Sequence, residues 1–551
     1  MKNMIIRNLA AIFTKWLRYY FIFPKAVFFI WGLIGVHSWT EYAVVALLIT
    51  HLADGILQLP KAVAVVNLLD GASALLIPII TYFSDTYLGP FLVVVCTTFA
   101  YISGLLLFYL GARSLKSIEK QLLYATVILV GLGRGGRDIQ LKEFLADQCR
   151  TKNGLAEEEE QVESRRKIWW RSAYILGIVA SVYLWKEASW MQRCKILTIA
   201  MGIAFAVFLV GFSFYERKKP AAKTTLNDML RLLYAAVTKR HHTQGWLNRA
   251  VVEQSSSNPE EQVREGELCT VEQVEQLKSL LTMLPLWSTF LIYGLLLATG
   301  NTFFYEQTSY TANYLGHIPT FSDEESDYAC NDLPQISNVV PDVIFVILRY
   351  FTSFTVSRLC DFLLSRYWGD KIPRRVMLVR IGMGLAVSPV CCVVAWKIEE
   401  YRVSRRLHHA ICIRFPWLFP QFVLLGLVEG LVFSAMENIY SSVVPESLRK
   451  YGPTFTQFAL NIGHFISLIF IVIFRDLFKN DLDLSRLGVY YRNLGCVCAV
   501  NFGIYCYVAT YYAKQEPSDA EADVPELPLE QLLQGPLPES SGYEASEQQV
   551  G

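Results

Sequence analysis

Charge is scarce in this chain. Only 18% of its 551 residues are Asp, Glu, Lys or Arg, against 53% hydrophobic, and the formal net charge is +1. A nucleic-acid binder would show a basic bias, so no nucleic-acid partner is expected. HExxH and GxSxG are absent, and no paired carboxylates stand at a membrane surface, so an enzyme is not expected either. No CxxC pair or Cys/His cluster occurs among the twelve cysteines. Most of them, such as Cys96, Cys391, Cys392, Cys496 and Cys498, sit in apolar segments and read as core thiols. Neither a metal nor another cofactor is expected. N-x-S/T sequons are missing too, so glycosylation offers no mark of sidedness.

What is present is apolar length. The mean hydropathy of +0.32 is too high for an ordinary soluble protein of this size and points to many spanning helices. Residues 1–25 hold Lys2, Arg7, Lys15, Arg18 and Lys25 and no acid, a pattern for an amphipathic lead-in on a membrane surface. An organelle-targeting segment is the alternative. Six spans fill residues 26–215, with span five at about Trp169–Trp185. A basic polar linker with an amphipathic stretch, Leu226–Val237, covers 216–276. Six more spans fill 277–514, with span nine at about Val376–Ala395. The tail, 515–551, is acidic and rich in Pro and Ser, and reads as disordered.

An even number of spans puts both termini on one side, and the density of Lys and Arg makes that side the cytoplasm. Arg402, Arg405, Arg406 and Arg414 run against the trend. The loop between spans seven and eight carries Asp323, Glu324, Glu325, Asp327 and a lone Cys330, with no Lys or Arg, which suits the opposite side.

Ionisable groups inside apolar spans are costly and point to a cavity or a partner. Span four, within Leu123–Gln148, places Gly131, Gly133, Gly135 and Gly136 on small-residue spacing and Arg134, Arg137 and Asp138 near mid-membrane. The glycines let a neighbouring helix approach closely. Gly131–Gly136 also matches GxGxxG, but its apolar flanks exclude a soluble βαβ unit. Arg134, Asp138 and Lys142 stand at i, i+4 and i+8 and could pair with one another. The alternative is that Arg134 or Arg137 faces a cavity and meets Glu41 of span one or Glu429 of span ten. Span two adds Asn67 and Asp70, and His37 and His51 lie about one and about three turns from Glu41.

Several motifs then stand in order. Asn67-Leu-Leu-Asp70-Gly71-Ala-Ser73 is followed by Ser84-Asp85-Thr-Tyr-Leu88-Gly89. Leu132-Gly133-x-Gly135-Gly136, Phe144-x-Ala146-Asp147-Gln148 and Trp169-Trp170 come next. Cys269 to Ser279, Leu284-Pro285-x-Trp287, Arg380 to Leu385, Gly426-x-x-Glu429, Glu437-x-x-Tyr440 and Pro445-Glu446-Ser447-Leu448-Arg449 complete the set. From about residue 60 to 515 the chain resembles the plant nitrate/peptide transporter (NRT1/PTR) family, a proton-coupled oligopeptide transporter branch of the major facilitator superfamily.

The resemblance implies an all-α membrane protein with twelve transmembrane helices in two six-helix halves. It implies a secondary transporter that moves a small polar or anionic solute by alternating access, driven by protons. Nitrate, short peptides and organic acids all occur as cargo among relatives. The partners implied are the solute, protons and membrane lipid, and the location is a plant plasma or vacuolar membrane.

Carried onto this chain, Glu41, Asp138 and Glu429 become proton-coupling candidates. Arg134, Arg137, Tyr42, Asn67 and Asp70 become candidates for the substrate cavity. Asp85, Gly89, Glu437 and Arg449 become candidates for a gate or latch. The chain departs from the family at four places. Ser38 and Tyr42 replace the first acid and the base of the span-one motif, leaving Glu41. Asp138 stands where a lysine is usual, Pro90 where an arginine is, and span seven has no histidine. These losses keep two other readings open: an uncoupled facilitator, and a transport-inactive homologue that senses solute.

Overall fold

Runs of apolar residues too long for strands, with polar side chains recurring on one face, fold here as helices that span the long axis of a bundle. The structure, a computed structural model, describes residues 25–46, 48–53, 57–113, 120–150, 159–183, 189–217, 271–311, 339–369, 372–409, 412–444, 446–449, 451–479 and 482–514. The amphipathic lead-in at 1–24, the Leu226–Val237 stretch, the acidic loop with Cys330 and the tail at 515–551 lie outside the described residues.

Twelve long helices form the described bundle. The first six are α1 (Lys25–Thr40), α2 (Leu59–Phe83), α3 (Gly89–Arg113), α4 (Lys120–Gly136), α5 (Glu159–Tyr183) and α6 (Trp190–Val210). The second six are α7 (Leu284–Thr308), α8 (Val339–Trp368), α9 (Arg374–His409), α10 (Phe419–Val443), α11 (Gly452–Ile473) and α12 (Leu487–Lys514). Their starts follow local chemistry. Pro60 and Pro285 occupy first-turn positions of α2 and α7, where a missing N–H costs nothing. Ser189 and Gln192 close a capping box on α6.

Among the described residues, nine stretches are long and apolar enough to cross a membrane, and one of them, Leu59–Gly111, holds both α2 and α3. The two helices outside this set are α4 and α5. α4 carries Arg134, with Arg137 just past its end, and α5 carries Arg165, Arg166 and Lys167.

Two expected boundaries move. α5 begins ten residues before Trp169, and in that added stretch buried Arg165 donates to the Cys149 carbonyl at 3.3 Å. α9 runs past Ala395 for a total of 36 residues. At 1.5 Å per residue that is roughly 54 Å, well beyond a hydrocarbon core of about 30 Å. Its overhang is polar but satisfied. Arg402 donates to both oxygens of Glu399 at 2.8 Å and to Asp483 at 2.5 Å, and Arg406 reaches Asp483 at 2.7 Å. Asp483 lies in the α11–α12 connection, so this cluster ties the overhang of α9 to that loop. Cys412, in the α9–α10 connection, is disulfide-bonded, which corrects the reading of the cysteines as thiols for that residue.

Close packing follows the small residues. The glycines of α4 press on both neighbours: a Cβ on Gly133 would fall 2.4 Å from Tyr101 of α3, and one on Gly135 would fall 3.1 Å from the Ser73 carbonyl of α2. The tightest approach is between α7 and α11. A Cβ on Gly463 would sit 2.2 Å from the Gly294 carbonyl carbon, and one on Gly294 would sit 2.1 Å from the Leu460 carbonyl oxygen. Backbone touches backbone there, as small residues allow.

Candidate functional site

Three π-helical turns mark the first half: Glu41–Val45 after α1, Ser84–Leu88 after α2 and Arg137–Leu141 after α4. A π turn inserts one extra residue into the helical register, and such bulges collect at functional sites. Each of these opens at, or one residue before, a side chain singled out from the sequence. The turn at Arg137 interrupts the even i, i+4, i+8 series expected of Arg134, Asp138 and Lys142. Arg134 instead reaches across to α1 and α2, and the Lys142 ammonium lies 5.1 Å over the Trp170 ring. Asp138 lies in the π turn, and its side chain is outside what the structure describes.

The centre of this half is an ion cluster built from three helices. Glu41 Oε1 accepts from Arg134 Nη2 at 2.8 Å, and Oε2 accepts from Arg137 Nη1 at 3.1 Å. Arg134 Nη1 also donates to Asp70 Oδ1. Glu41 is 8% exposed and Arg137 6%, so these charges are taken out of water. Removing one member of such a buried set leaves its partner uncompensated, at a cost of about 3–5 kcal/mol.

The second half has its own pair. Arg349 of α8 forks onto Glu429 of α10, with Nε on Oε2 at 3.0 Å and Nη2 on Oε1, while Nη1 donates to Asn301 Oδ1 at 2.6 Å. Glu429 therefore meets Arg349, not Arg134 or Arg137. Sequence reasoning passed over Arg349, although an arginine in the middle of the apolar run from Val339 is the usual signal for such a group.

These clusters line a cavity of about 350 Å³ between the halves. Among the described residues its wall holds four cations, Arg134, Arg137, Lys142 and Arg349, and two carboxylates, Glu41 and Asp70. Three tyrosines complete it. Tyr42 Oη donates to Tyr174 Oη at 2.7 Å, and the ring centroid of Tyr350, from the other half, lies 6.2 Å from Tyr42 and 6.3 Å from Tyr174. Tyr174 and Tyr350 were not singled out from the sequence, since a tyrosine in an apolar run carries no distinguishing signal. Asn67 is fully buried between α2 and α11 and is not on the cavity wall: its Nδ2 donates to Ser467 Oγ at 3.1 Å.

The gate candidates fall at one end of the bundle. Asp85 Oδ2 accepts from Tyr451 Oη at 2.8 Å, joining the α2 end to the α11 start. Gly89 takes φ 75°, a left-handed conformation that favours glycine, and turns the chain into α3 with Pro90 following. Ser84 Oγ donates to Gln140 Oε1 at 2.5 Å, binding two of the π turns together. Glu437 is half-buried on α10, and Arg449 is exposed on the short helix Glu446–Arg449. A hydrogen bond to a carboxylate contributes about 1.5–3 kcal/mol. Tyr451→Phe is accordingly expected to raise hydrogen–deuterium exchange in Ser84–Leu88 in nanodiscs by roughly tenfold or more. Unchanged exchange would mean that this contact latches nothing.

The POT family profile, PTR2, matches residues 91–321. Over 548 residues the chain is 25% identical to Protein NRT1/PTR FAMILY 5.7 of Arabidopsis thaliana, covering 89% of this chain and 88% of that protein. Protein NRT1/PTR FAMILY 5.6 of the same plant is 24% identical, over 84% of this chain and 86% of its own. Among solved structures, the POT family transporter PepTSo superposes with a TM-score of 0.64 at 14% identity, over 89% of this chain and 99% of that one. A POT family transporter in complex with 5-aminolevulinic acid gives 0.61 at 9% identity, over 89% and 96%. The fold is thus the all-α major facilitator arrangement of two six-helix halves.

Proposed function

We propose that this chain, which matches the POT family profile over residues 91–321 and resembles the NRT1/PTR FAMILY 5 proteins, is a transporter that moves a small anionic solute together with protons by alternating access. The carrying observation is the charge of the cavity wall, which among the described residues holds four cations against two carboxylates. An ammonium-bearing cargo needs a carboxylate to receive it. Here Glu41, Asp70 and Glu429 are each held by an arginine. An anion instead competes with those carboxylates for the guanidinium groups, which suit planar oxyanions. Nitrate and small carboxylic acids fit that chemistry ahead of peptides.

Proton coupling follows from the same pairs. A proton on a Glu41 oxygen removes the charge that holds Arg134 and Arg137, and both then present their charge to a bound anion. Release of the anion restores the pull of the arginines on Glu41 and favours loss of the proton. The cycle needs the cavity to open alternately on each side, with the Asp85–Tyr451 contact closing one end.

Orientation rests on two further features. Disulfides persist in oxidising compartments, which supports a non-cytoplasmic α9–α10 connection with Cys412 and cytoplasmic termini. Arg402 and Arg406 are neutralised by Glu399 and Asp483, so they do not count against that orientation. The membrane in this reading is a plant plasma or vacuolar membrane.

The test is uptake into proteoliposomes with nitrate, small organic anions and dipeptides, at external pH 5.5 and 7.5. Acid-stimulated uptake of an anion is expected. Dipeptide uptake above that of every anion would overturn the charge argument, and flux indifferent to pH would make the protein a facilitator. Ligand binding without flux would make it a solute-sensing homologue.

A further inference from the structure

α2 and α11 belong to different halves and meet at mid-length, where a Cβ on Gly71 would fall 2.7 Å from the Phe465 ring. The neighbouring residue, His464, is 4% exposed and points into a polar seam between the two helices. Its Nδ1 lies 3.0 Å from Asn67 Oδ1 and 3.6 Å from Asp70 Oδ2. Asn67 gives its Nδ2 to Ser467, so its Oδ1 is the acceptor that faces the ring, and the network assigns the proton of the neutral imidazole to Nδ1. A second proton enters at the other ring nitrogen and makes the ring a cation beside Asp70.

The charged groups around the ring are few. Asp70 faces it from α2, Arg134 from α4 and Arg349 from α8. Glu41 and Glu429 hold those two arginines, and the charged residue of α7, Glu306, stands near the far end of its helix. Asp70 is the joint of the system, since one oxygen serves Arg134 and the other faces His464. Arg134 in turn reaches Glu41 at 2.8 Å. Two ion pairs, Asp70–Arg134 and Arg134–Glu41, thus run through the first half, and protonation of His464 would extend them into the second.

We propose that His464 and Asp70 form a proton-operated bridge between the halves, a reading that rests on the transport function above. Protonation of His464 pulls Asp70 toward α11 and weakens its hold on Arg134. Arg134 then shifts its charge toward Glu41 or toward a bound anion. The bridge forms when the ring takes up its second proton at low pH and opens as pH rises and the ring gives that proton up. A charge shared between halves takes the place of the charges missing from span one.

The experiment is a double-mutant cycle on the full-length protein in nanodiscs, with His464→Gln, Asp70→Asn and the double variant melted at pH 5.0 and 8.0. A coupling between the two positions is expected at pH 5.0 and its loss at pH 8.0. In proteoliposomes His464→Gln is expected to flatten the pH profile of uptake. Coupling equal at the two pH values, or none at either, overturns the bridge whether or not cargo moves. Wild-type protein that takes up no member of the panel overturns the transport reading, while the cycle, which needs no cargo, still decides the bridge.

Discussion

Arg349→Ala is expected to abolish uptake and to destabilise the protein by about 3–5 kcal/mol. The substitution strands Glu429 inside the bundle with both oxygens stripped of their donors, and it leaves Asn301 Oδ1 without its donor as well. Lysine should not rescue it, because a single ammonium cannot serve two carboxylate oxygens and an amide together in the way a guanidinium fork does. Two effects are separable by adding Glu429→Gln. The double variant removes the stranded charge, so its unfolding temperature should recover most of the loss, while uptake stays absent because the cavity has lost a cation. If the double variant regained transport, Arg349 would be a structural counter-ion to Glu429 and no part of cargo recognition.

Glu41→Gln is expected to remove acid stimulation of uptake and to divide the kinetic constants. The amide cannot lose a proton at neutral pH, so the variant stays in the loaded charge state. Arg134 keeps Asp70, and Arg137 loses the carboxylate that it reaches at 3.1 Å. An anionic cargo should then bind at least as well as in the wild type, with an unchanged or lower KM. Turnover should fall by about a hundredfold, because nothing competes the anion off the arginines. Initial rates across cargo concentration at pH 5.5 and 7.5 decide this. A Glu41→Gln protein with wild-type turnover and a wild-type pH profile would place coupling elsewhere, and His464 would be the first site to turn to.

Much of the bundle was legible because each helix is written locally. Apolar length locates ten of the twelve long helices without any long-range information, and the glycines of span four announce its close neighbours. A meeting of Arg134 or Arg137 with Glu41 was among the pairings open in advance, since buried charges of opposite sign have few places to go. Glu429 was only one of two acids open to Arg134 or Arg137, and in the structure it meets neither. Its true partner, Arg349, is eighty residues away on α8, and nothing local says which cation meets which acid. Asn67 and His464 are almost four hundred residues apart and meet only because the two halves dock. The three π turns were equally invisible, because an inserted residue leaves no mark in a hydrophobic pattern until the neighbours show which face is buried. The extra turns of α9 failed for the opposite reason: Glu399 and Arg402 look like a loop by composition, and only their mutual pairing with Asp483 keeps them helical and buried.

The backbone contact between Gly294 and Gly463 sets how the second half can move. Most helix pairs meet through side chains, and changes of rotamer let one helix slide or roll past the other by an ångström or two. Where a peptide group of α7 lies directly on α11, that cushion is gone. The two helices turn together or not at all, as one lever with a fixed crossing point. Any rocking of this half therefore has its give at the seam with the other half, where the ring of Phe465 rests on Gly71.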